Sequence, residues 1–176
     1  MRHILIAVFL AGGLVQAAIT LPSEATVRLA LQGTAGLHIE GTTHELDISE
    51  REGDLVFLVP LSHVDTGIGL RNRHLRNHLD VDHFPQAELR VPRRVVVFPG
   101  SGKPSESDVQ GTLSLHGVSR PCSVHYRAEQ GLLGEIRVRG TTRIDMRDFG
   151  IEAPSYLGIQ VAPAVSLQVD FSVRDP

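Results

Sequence analysis

The chain has 176 residues and a mass of 19.2 kDa, which suits one domain and is short for two. Hydrophobic residues make up 41% and charged residues 21%, a balance typical of a globular protein and not of a disordered one. A net charge of −3, with six Phe, two Tyr and no Trp, argues against a nucleic-acid partner, which would need a basic surface or a stacking platform. One Cys excludes an internal disulfide and a cysteine-rich zinc site.

The N-terminal segment has the layout of a secretory signal peptide. Arg2 supplies a positive charge, residues 4–15 (ILIAVFLAGGLV) are apolar, and Ala17 ends a cleavage site of small residues. The apolar run is shorter than the ~20 residues of a membrane-spanning helix, so cleavage is favoured over an uncleaved anchor. This predicts a periplasmic or secreted domain of residues 18–176. In that oxidising compartment Cys122 is expected to be buried and unreactive.

Beyond that segment, apolar and polar side chains alternate with a period of two, which is typical of antiparallel strands with one buried face. The runs cover residues 27–31, 37–39, 46–48, 55–61, 89–91, 95–98, 109–115, 124–128, 136–144 and 165–173. Eight or more strands in one small domain predict an all-β barrel or tight sandwich, because closure removes exposed strand edges. Period two shows which residues share a face, but not which face points inward.

Two segments interrupt this pattern. Residues 66–80 (TGIGLRNRHLRNHLD) have Leu70, His74, Leu75 and Leu79 near helical spacing, which predicts a short helix or an irregular flap between strands. Pro, Gly and Ser dominate the second segment, PGSGKPSESD, which predicts a polar hairpin loop over residues 99–108.

Short matches to catalytic motifs lack their context. Asp148-Phe149-Gly150 spells the kinase metal-binding tripeptide, but no glycine-rich nucleotide loop or catalytic loop accompanies it. These residues are better interpreted as a strand end, where Asp148 caps, Phe149 packs and Gly150 turns. His116-Gly117 is likewise interpreted as a turn, with Gly117 in a left-handed conformation. No catalytic residue is therefore predicted.

A histidine cluster supports an alternative hypothesis. His74 and His78 share one face of a predicted helix, and His83 follows with Asp80 and Asp82, a ligand set acceptable to zinc, copper or nickel. The spacing matches no strong metal motif, so no metal is expected. A metal-dependent extracytoplasmic enzyme remains the alternative, and a solvated basic segment is the plainer interpretation. Basic residues at the mouth of an apolar cavity would also hold a phosphate or another polar head group.

Three motif groups occur in order along the chain. They are Asp65-Thr66-Gly67, Arg71, His74-Leu75-Arg76, Asp80-Val81 and Phe84-Pro85; then VQGTLSLHGVSRP at 109–121; then Ile144-Asp145 with Asp148-Phe149-Gly150-Ile151. The ordered set resembles the YceI-like family, secreted bacterial proteins with a lipocalin-like barrel that bind polyisoprenoid lipids. Met146 stands where many relatives have Arg and Leu79 where many have an aromatic residue, and residues 20–48 match poorly.

The resemblance implies an eight-stranded lipocalin-like barrel with an elongated apolar tunnel, and it implies no catalysis. The expected ligand is a prenyl quinone or prenyl phosphate, since burial of its tail yields about 25 cal/mol per Å². The predicted apolar lining comprises Phe57, Val59, Leu61, Leu113, Leu115, Val124, Tyr126, Ile136, Val138, Leu167, Val169 and Phe171.

Arg71, His74 and Arg76 are predicted to contact the head group or to tie the flap to the barrel. A bound isoprenoid lipid and transient membrane contact are expected, with no other cofactor, and a homodimer is left open. A third hypothesis, besides the lipid carrier and the metal-dependent enzyme, is a stress-protective barrel with a filled core, which predicts no internal pocket.

Overall fold

The computed structural model describes residues 24–100, 103–131, 134–156 and 158–174, so the predicted signal peptide lies outside the described residues. The strands are β1 (Ala25–Gly33), β2 (His38–Thr43), β3 (Asp47–Arg51), β4 (Asp54–Pro60), β5 (Gln86–Pro92), β6 (Ser105–Leu115), β7 (Val118–Gln130), β8 (Glu135–Asp145), β9 (Ser155–Tyr156) and β10 (Ile159–Arg174). One helix, α1 (Gly69–His78), lies between β4 and β5, as the helical spacing predicts. None of the helices in these ranges is long and apolar enough to cross a membrane.

The strands form one antiparallel sheet in the order β2-β1-β10-β8-β7-β6-β5-β4-β3, with β9 paired to β10. A path of nine antiparallel strands leaves its end strands, β2 and β3, running in the same direction. Only residues 44–46 separate them, and four peptide steps span at most roughly 14 Å. The sheet therefore curls until its two edges are joined by one continuous segment, residues 38–51.

This curled sheet confirms the predicted lipocalin-like barrel, with a difference in strand count. The described residues form ten strands where the resemblance implies eight. β2 pairs with β1 and β3 pairs with β4, so residues 38–51 act as one bent segment that joins the two edges of the sheet. The longest ladders are β6–β7, from Ser105–Ala128 to Leu115–Val118, and β8–β10, from Asp145–Ala164 to Glu135–Arg174.

Side chains close the barrel where backbone pairing stops. Leu46 and Ile48 are buried with Phe171 of β10 in one cluster, against which Val27 of β1 packs. The rings of Phe57 and Phe171 lie 5.9 Å apart between centroids in a tilted arrangement. The inward-facing side chains at β3 thus pack on β1 and β10, although β3 forms its hydrogen-bonded ladder with β4.

Two hairpins turn through paired left-handed residues. His116 (φ 52°) and Gly117 (φ 74°) join β6 to β7, which confirms the turn and the left-handed Gly117. Glu52 (φ 54°) and Gly53 (φ 83°) join β3 to β4 in the same way. Positive φ at both central residues matches the twist of the flanking strands.

The predicted strand at 95–98 is wrong. Pro92 ends β5, since it has no N–H to donate, and Arg93–Val95 form a 3-10 turn followed by irregular backbone. The polar loop is also shorter than predicted, because β6 already begins at Ser105. Residues 93–98 instead form an irregular connection, called here the apolar strap.

The predicted cap at Asp148 is also wrong. The capping residue is Asp145, whose carboxylate accepts the Arg147 N–H at 2.9 Å where β8 ends. The side-chain and backbone hydrogen bonds from Arg147 lower the pKa of Asp145 to about 2. Phe149 packs, with 2% of its surface exposed, and Gly150 turns at φ 72°, as the sequence predicts.

The two hairpin glycines provide a matched test of the fold. An alanine Cβ at Gly117 would lie 2.6 Å from Phe84 Cε1, whereas one at Gly53 would meet nothing within 4 Å. We expect Gly53→Ala to lose about 1 kcal/mol through its left-handed backbone alone. Gly117→Ala should lose about 2–4 kcal/mol, since a steric contact is added. Urea denaturation at constant m-value measures both losses, and equal losses would contradict the packing of Phe84 on this turn.

Candidate functional site

The barrel encloses a cavity of about 990 Å³ that extends from α1 to the apolar strap. On β8 its wall runs from Ile136 to Ile144, which corresponds to roughly 26 Å along a strand. Protein interiors rarely contain voids larger than a water molecule, so a cavity of this size is a ligand-sized space and not a packing defect. The filled-core alternative predicts no such pocket.

All twelve predicted lining residues lie on the cavity wall, and the apolar strand faces therefore point inward. They are Phe57, Val59, Leu61, Leu113, Leu115, Val124, Tyr126, Ile136, Val138, Leu167, Val169 and Phe171. Their contact with a ligand stays a prediction.

The sequence interpretation missed other parts of the wall. β1 and β2 contribute Val27, Leu29 and Ile39, and β5 contributes Leu89 and Val91. The same period-two alternation was present in these runs. Alternation alone did not distinguish wall residues from residues packed behind the wall.

Helix α1 covers one end of the cavity with basic side chains. Arg71 and His74 lie on the wall, together with Leu75 and His78, and their contact with a head group stays a prediction. The spacings of three and four residues place them on one face of the helix. Arg76 lies off the wall, because at 100° per residue it is rotated about 140° from Arg71.

The three candidate metal ligands do not converge. His78 Nε2 donates to the Glu152 carbonyl at 2.8 Å, which ties α1 to the segment after β8. His83 pairs with Asp80 at 2.8 Å, and this hydrogen bond raises the pKa of His83. Within the described ranges, no group of three His, Cys, Asp or Glu side chains is placed to hold a metal ion.

The Asp65-Thr66-Gly67 motif forms a clamp at the start of α1. Asn72 Oδ1 accepts the Thr66 N–H at 2.8 Å and the Thr66 hydroxyl at 2.6 Å. Asp65 Oδ1 accepts Asn72 Nδ2 at 2.7 Å and the Gly67 N–H at 2.9 Å. The Asp65 backbone exchanges two hydrogen bonds with Thr42 on β2. The clamp therefore fixes the helix to one edge of the barrel.

The apolar strap covers the opposite end and is held by Tyr126. The Tyr126 hydroxyl accepts the Val97 N–H at 2.8 Å and donates to the Val97 carbonyl at 3.0 Å. Ser105 Oγ donates to the same carbonyl at 2.9 Å. The Arg93 guanidinium lies 4.2 Å from the centre of the Phe98 ring. Tyr126 is thus both a wall residue and the anchor of the strap.

Two further wall residues bear on the chemistry of the site. Cys122 is half-buried on β7, and burial raises the pKa of its thiol, which disfavours the reactive thiolate. Met146 is buried on the wall near Leu79. Met146 and Leu79, the two residues that depart from the family pattern, therefore keep this part of the wall apolar.

The fold and the cavity define a lipocalin-like barrel with a ligand-sized apolar interior. Residues 19–173 match the YceI-like domain, and the chain belongs to that family.

Individual relatives are distant. A UPF0312 protein of Vibrio cholerae is 29% identical over 106 residues, covering 56% of this chain and 54% of the relative. The chain thus aligns with about half the length of the curated relatives it matches. A polyisoprenoid binding domain from Saccharophagus degradans superposes with a TM-score of 0.75 at 18% identity, covering 90% of this chain and 98% of that one. BcnA of Burkholderia cenocepacia superposes at 0.67 with 14% identity, covering 84% and 95%.

The clamp predicts how readily α1 opens. Asn72→Ala removes the acceptor of two hydrogen bonds and the donor of a third, so the open population should rise about tenfold. Trypsin cleavage within the arginine-rich helix measures this population. Asn77→Ala is the matched control, since Asn77 is exposed on the same helix. Equal cleavage of the two variants would show that the clamp does not hold the helix.

The clamp should also depend on pH. The hydrogen bond from Asn72 and those from nearby backbone N–H groups lower the pKa of Asp65. The stabilisation by Asp65 is therefore complete above the unfolded-state pKa and is lost as pH falls through the lowered folded-state pKa. Hydrogen exchange across α1 should accelerate in that acidic range, beyond the intrinsic trend. Asp65→Asn should remove this extra dependence, and its persistence in the variant would assign it elsewhere.

Proposed function

We propose that this chain is a periplasmic or secreted carrier that holds a polyisoprenoid lipid in the barrel interior. The observation that carries the proposal is the elongated apolar cavity of about 990 Å³. The fold relative described as a polyisoprenoid binding domain supports the ligand class, and the N-terminal signal sequence supports export.

The hydrophobic effect explains why such a cavity suits an isoprenoid. Each buried methylene contributes about 0.8 kcal/mol, so one five-carbon unit contributes about 4 kcal/mol before ordering costs. The wall supplies this burial through side chains such as Leu113, Val138 and Leu167. An apolar tail gains stability along the whole barrel and needs few polar contacts for orientation.

The basic side chains at α1 orient the ligand. The planar guanidinium of Arg71 forms paired hydrogen bonds with phosphate or carbonyl oxygens. His74 adds a hydrogen-bonding group on the same helix face. Arg93 and Glu50 line the wall near the strap, but α1 places three basic side chains on one helix face, which favours the α1 end for the head group. The head group therefore lies at α1, and the tail extends toward the strap.

The proposed activity is binding and release, with no bond made or broken. A carrier requires cover for its ligand, which α1 and the apolar strap provide at the two ends of the cavity. His74 and His78 are assigned to the head-group end of the cavity. They are not assigned to a metal centre, since His83, the third candidate ligand, is paired with Asp80 away from the wall.

Native mass spectrometry with organic extraction tests the carrier directly. The protein is expressed with its own N-terminal segment and purified from a bacterial periplasm. We expect a bound mass of several hundred daltons that extracts as a prenyl quinone or a prenyl phosphate. A clean apo mass, unchanged after incubation with either lipid, would refute the carrier. A stoichiometric metal mass would instead support the histidine hypothesis.

Arg71 should determine the preference between head groups. Arg71→Ala removes a charge-assisted hydrogen bond of about 1.5–3 kcal/mol, so affinity for a prenyl phosphate should fall about ten- to hundredfold. Affinity for a prenyl quinone of equal tail length should change far less. Arg73→Ala is the control, because Arg73 is exposed on α1 and off the wall. Equal losses for both variants would place the head group elsewhere.

A further inference from the structure

We propose that the apolar strap, residues 93–98, is the surface by which this protein docks on an anionic lipid bilayer, and that the ligand tail is exchanged there. This inference rests on the proposed carrier function and adds the docking surface and its partner.

Exposed hydrophobic side chains are concentrated on the strap. Val95 is 40% exposed, Val97 59% and Phe98 40%. Among the described residues, the other large hydrophobic side chains with comparable exposure are Ile68 and Leu70, at the opposite end of the barrel. Three such residues within four positions form an apolar patch of the kind that marks interaction sites.

The patch is continuous with the cavity. Val97 and Phe98 are exposed to solvent and also line the wall. Val96, which lies next to Val97 in the strap, packs against the core cluster that contains Tyr126. The apolar interior of a bilayer would therefore meet the cavity wall at Val97 and Phe98, beside Arg93. Ile68 and Leu70 do not line the wall, so the α1 end offers no such apolar route.

The strap also lies beside a gap in the sheet. β5 pairs with β6 only through residues 88–90 and 112–114. In the described part of the chain, residues 105–110 of β6 have no strand partner on that side, and Val97 is fixed there by Ser105 and Tyr126. Side-chain hydrogen bonds are easier to break than a strand ladder, so the strap is the part of the wall that opens most readily.

The arginines of the strap favour an anionic lipid surface as the partner, although Glu52 of the neighbouring hairpin lies next to Gly53, whose carbonyl accepts the Arg93 N–H. Arg93 and Arg94 precede the apolar residues, and Arg94 is exposed without an ion pair among the described residues. Basic residues next to apolar side chains match the anionic head groups and acyl region of a bilayer interface. Docking at the strap also places the head-group end, α1, away from the membrane. In the bound lipid, as in a lipid of the leaflet that faces the protein, the head group then points away from the bilayer centre and the tail points toward it.

Vesicle flotation tests the docking surface with the lipid-loaded protein. The vesicles contain phosphatidylethanolamine with phosphatidylglycerol, and phosphatidylcholine vesicles serve as the neutral comparison. Val95→Asp lies off the wall and should lower partitioning about tenfold, as should Val97→Asp. Arg94→Gln should lower it about fivefold on anionic vesicles only. Leu70→Asp is the matched control and should leave partitioning unchanged.

Three outcomes would overturn the proposal. Leu70→Asp could abolish flotation while the strap variants float normally, which would place docking at α1. All variants could float like the parent chain, which would exclude the strap. Sedimentation could show a dimer that Val95→Asp dissociates, which would make the strap a contact between two copies.

Lipid content separates this inference from the carrier itself. Native mass spectrometry on each variant reports both folding and bound lipid. Bound lipid with unchanged flotation refutes only the docking surface, whereas absence of bound lipid from the parent chain refutes the carrier. Ser105→Ala adds a readout that a structural role of the strap would not predict, because Ser105 holds the strap from a position off the wall. Loss of its hydrogen bond to the Val97 carbonyl should speed lipid transfer to vesicles about fivefold while bound lipid at equilibrium stays similar.

Discussion

Closure of the sheet through residues 38–51 is the constraint on which the cavity depends. This segment pairs with β1 in its first half and with β4 in its second. The strands between must therefore curve around an interior. Leu46, Ile48 and Phe171 pack together at the closure and, like the other apolar strand faces, line the cavity. The residues that would form a filled core in a sandwich form a wall here.

The two ends of this wall are covered in different ways. α1 is fixed by the Asp65–Asn72 clamp, whose hydrogen bonds connect to β2. The apolar strap is held mainly by the hydroxyl of Tyr126 and by Ser105. Arg71, His74 and His78 line the cavity at the first end, and Arg93, Val97 and Phe98 line it at the second. The proposed head group lies at the first end, and the tail extends toward the second.

Sequence interpretation succeeded where a local rule decides the structure, and failed where spatial neighbours decide it. The left-handed turn at Gly117 follows from the residue type and the flanking alternation. The side chains of Asp148 and Asp145 can both cap a helical turn. Asp145 is the cap because it lies at the end of β8, where the turn begins. Residues 95–98 have strand composition, but Pro92 removes them from the ladder. Arg71 and Arg76 are alike in sequence, and only the rotation of the helix separates them.

The sequence by itself determined the antiparallel all-β class, the short helix, the family and the twelve residues that share the apolar strand faces. These properties are encoded in period-two alternation, helical spacing and ordered motifs, all of which are local. The tertiary structure decided that the apolar faces enclose a cavity, and it decided which side chains cover its ends. A wall and a filled core have the same alternation, because what separates them is the distance across the barrel. That distance depends on how many strands lie between β2 and β3, the two edges of the sheet that residues 38–51 join.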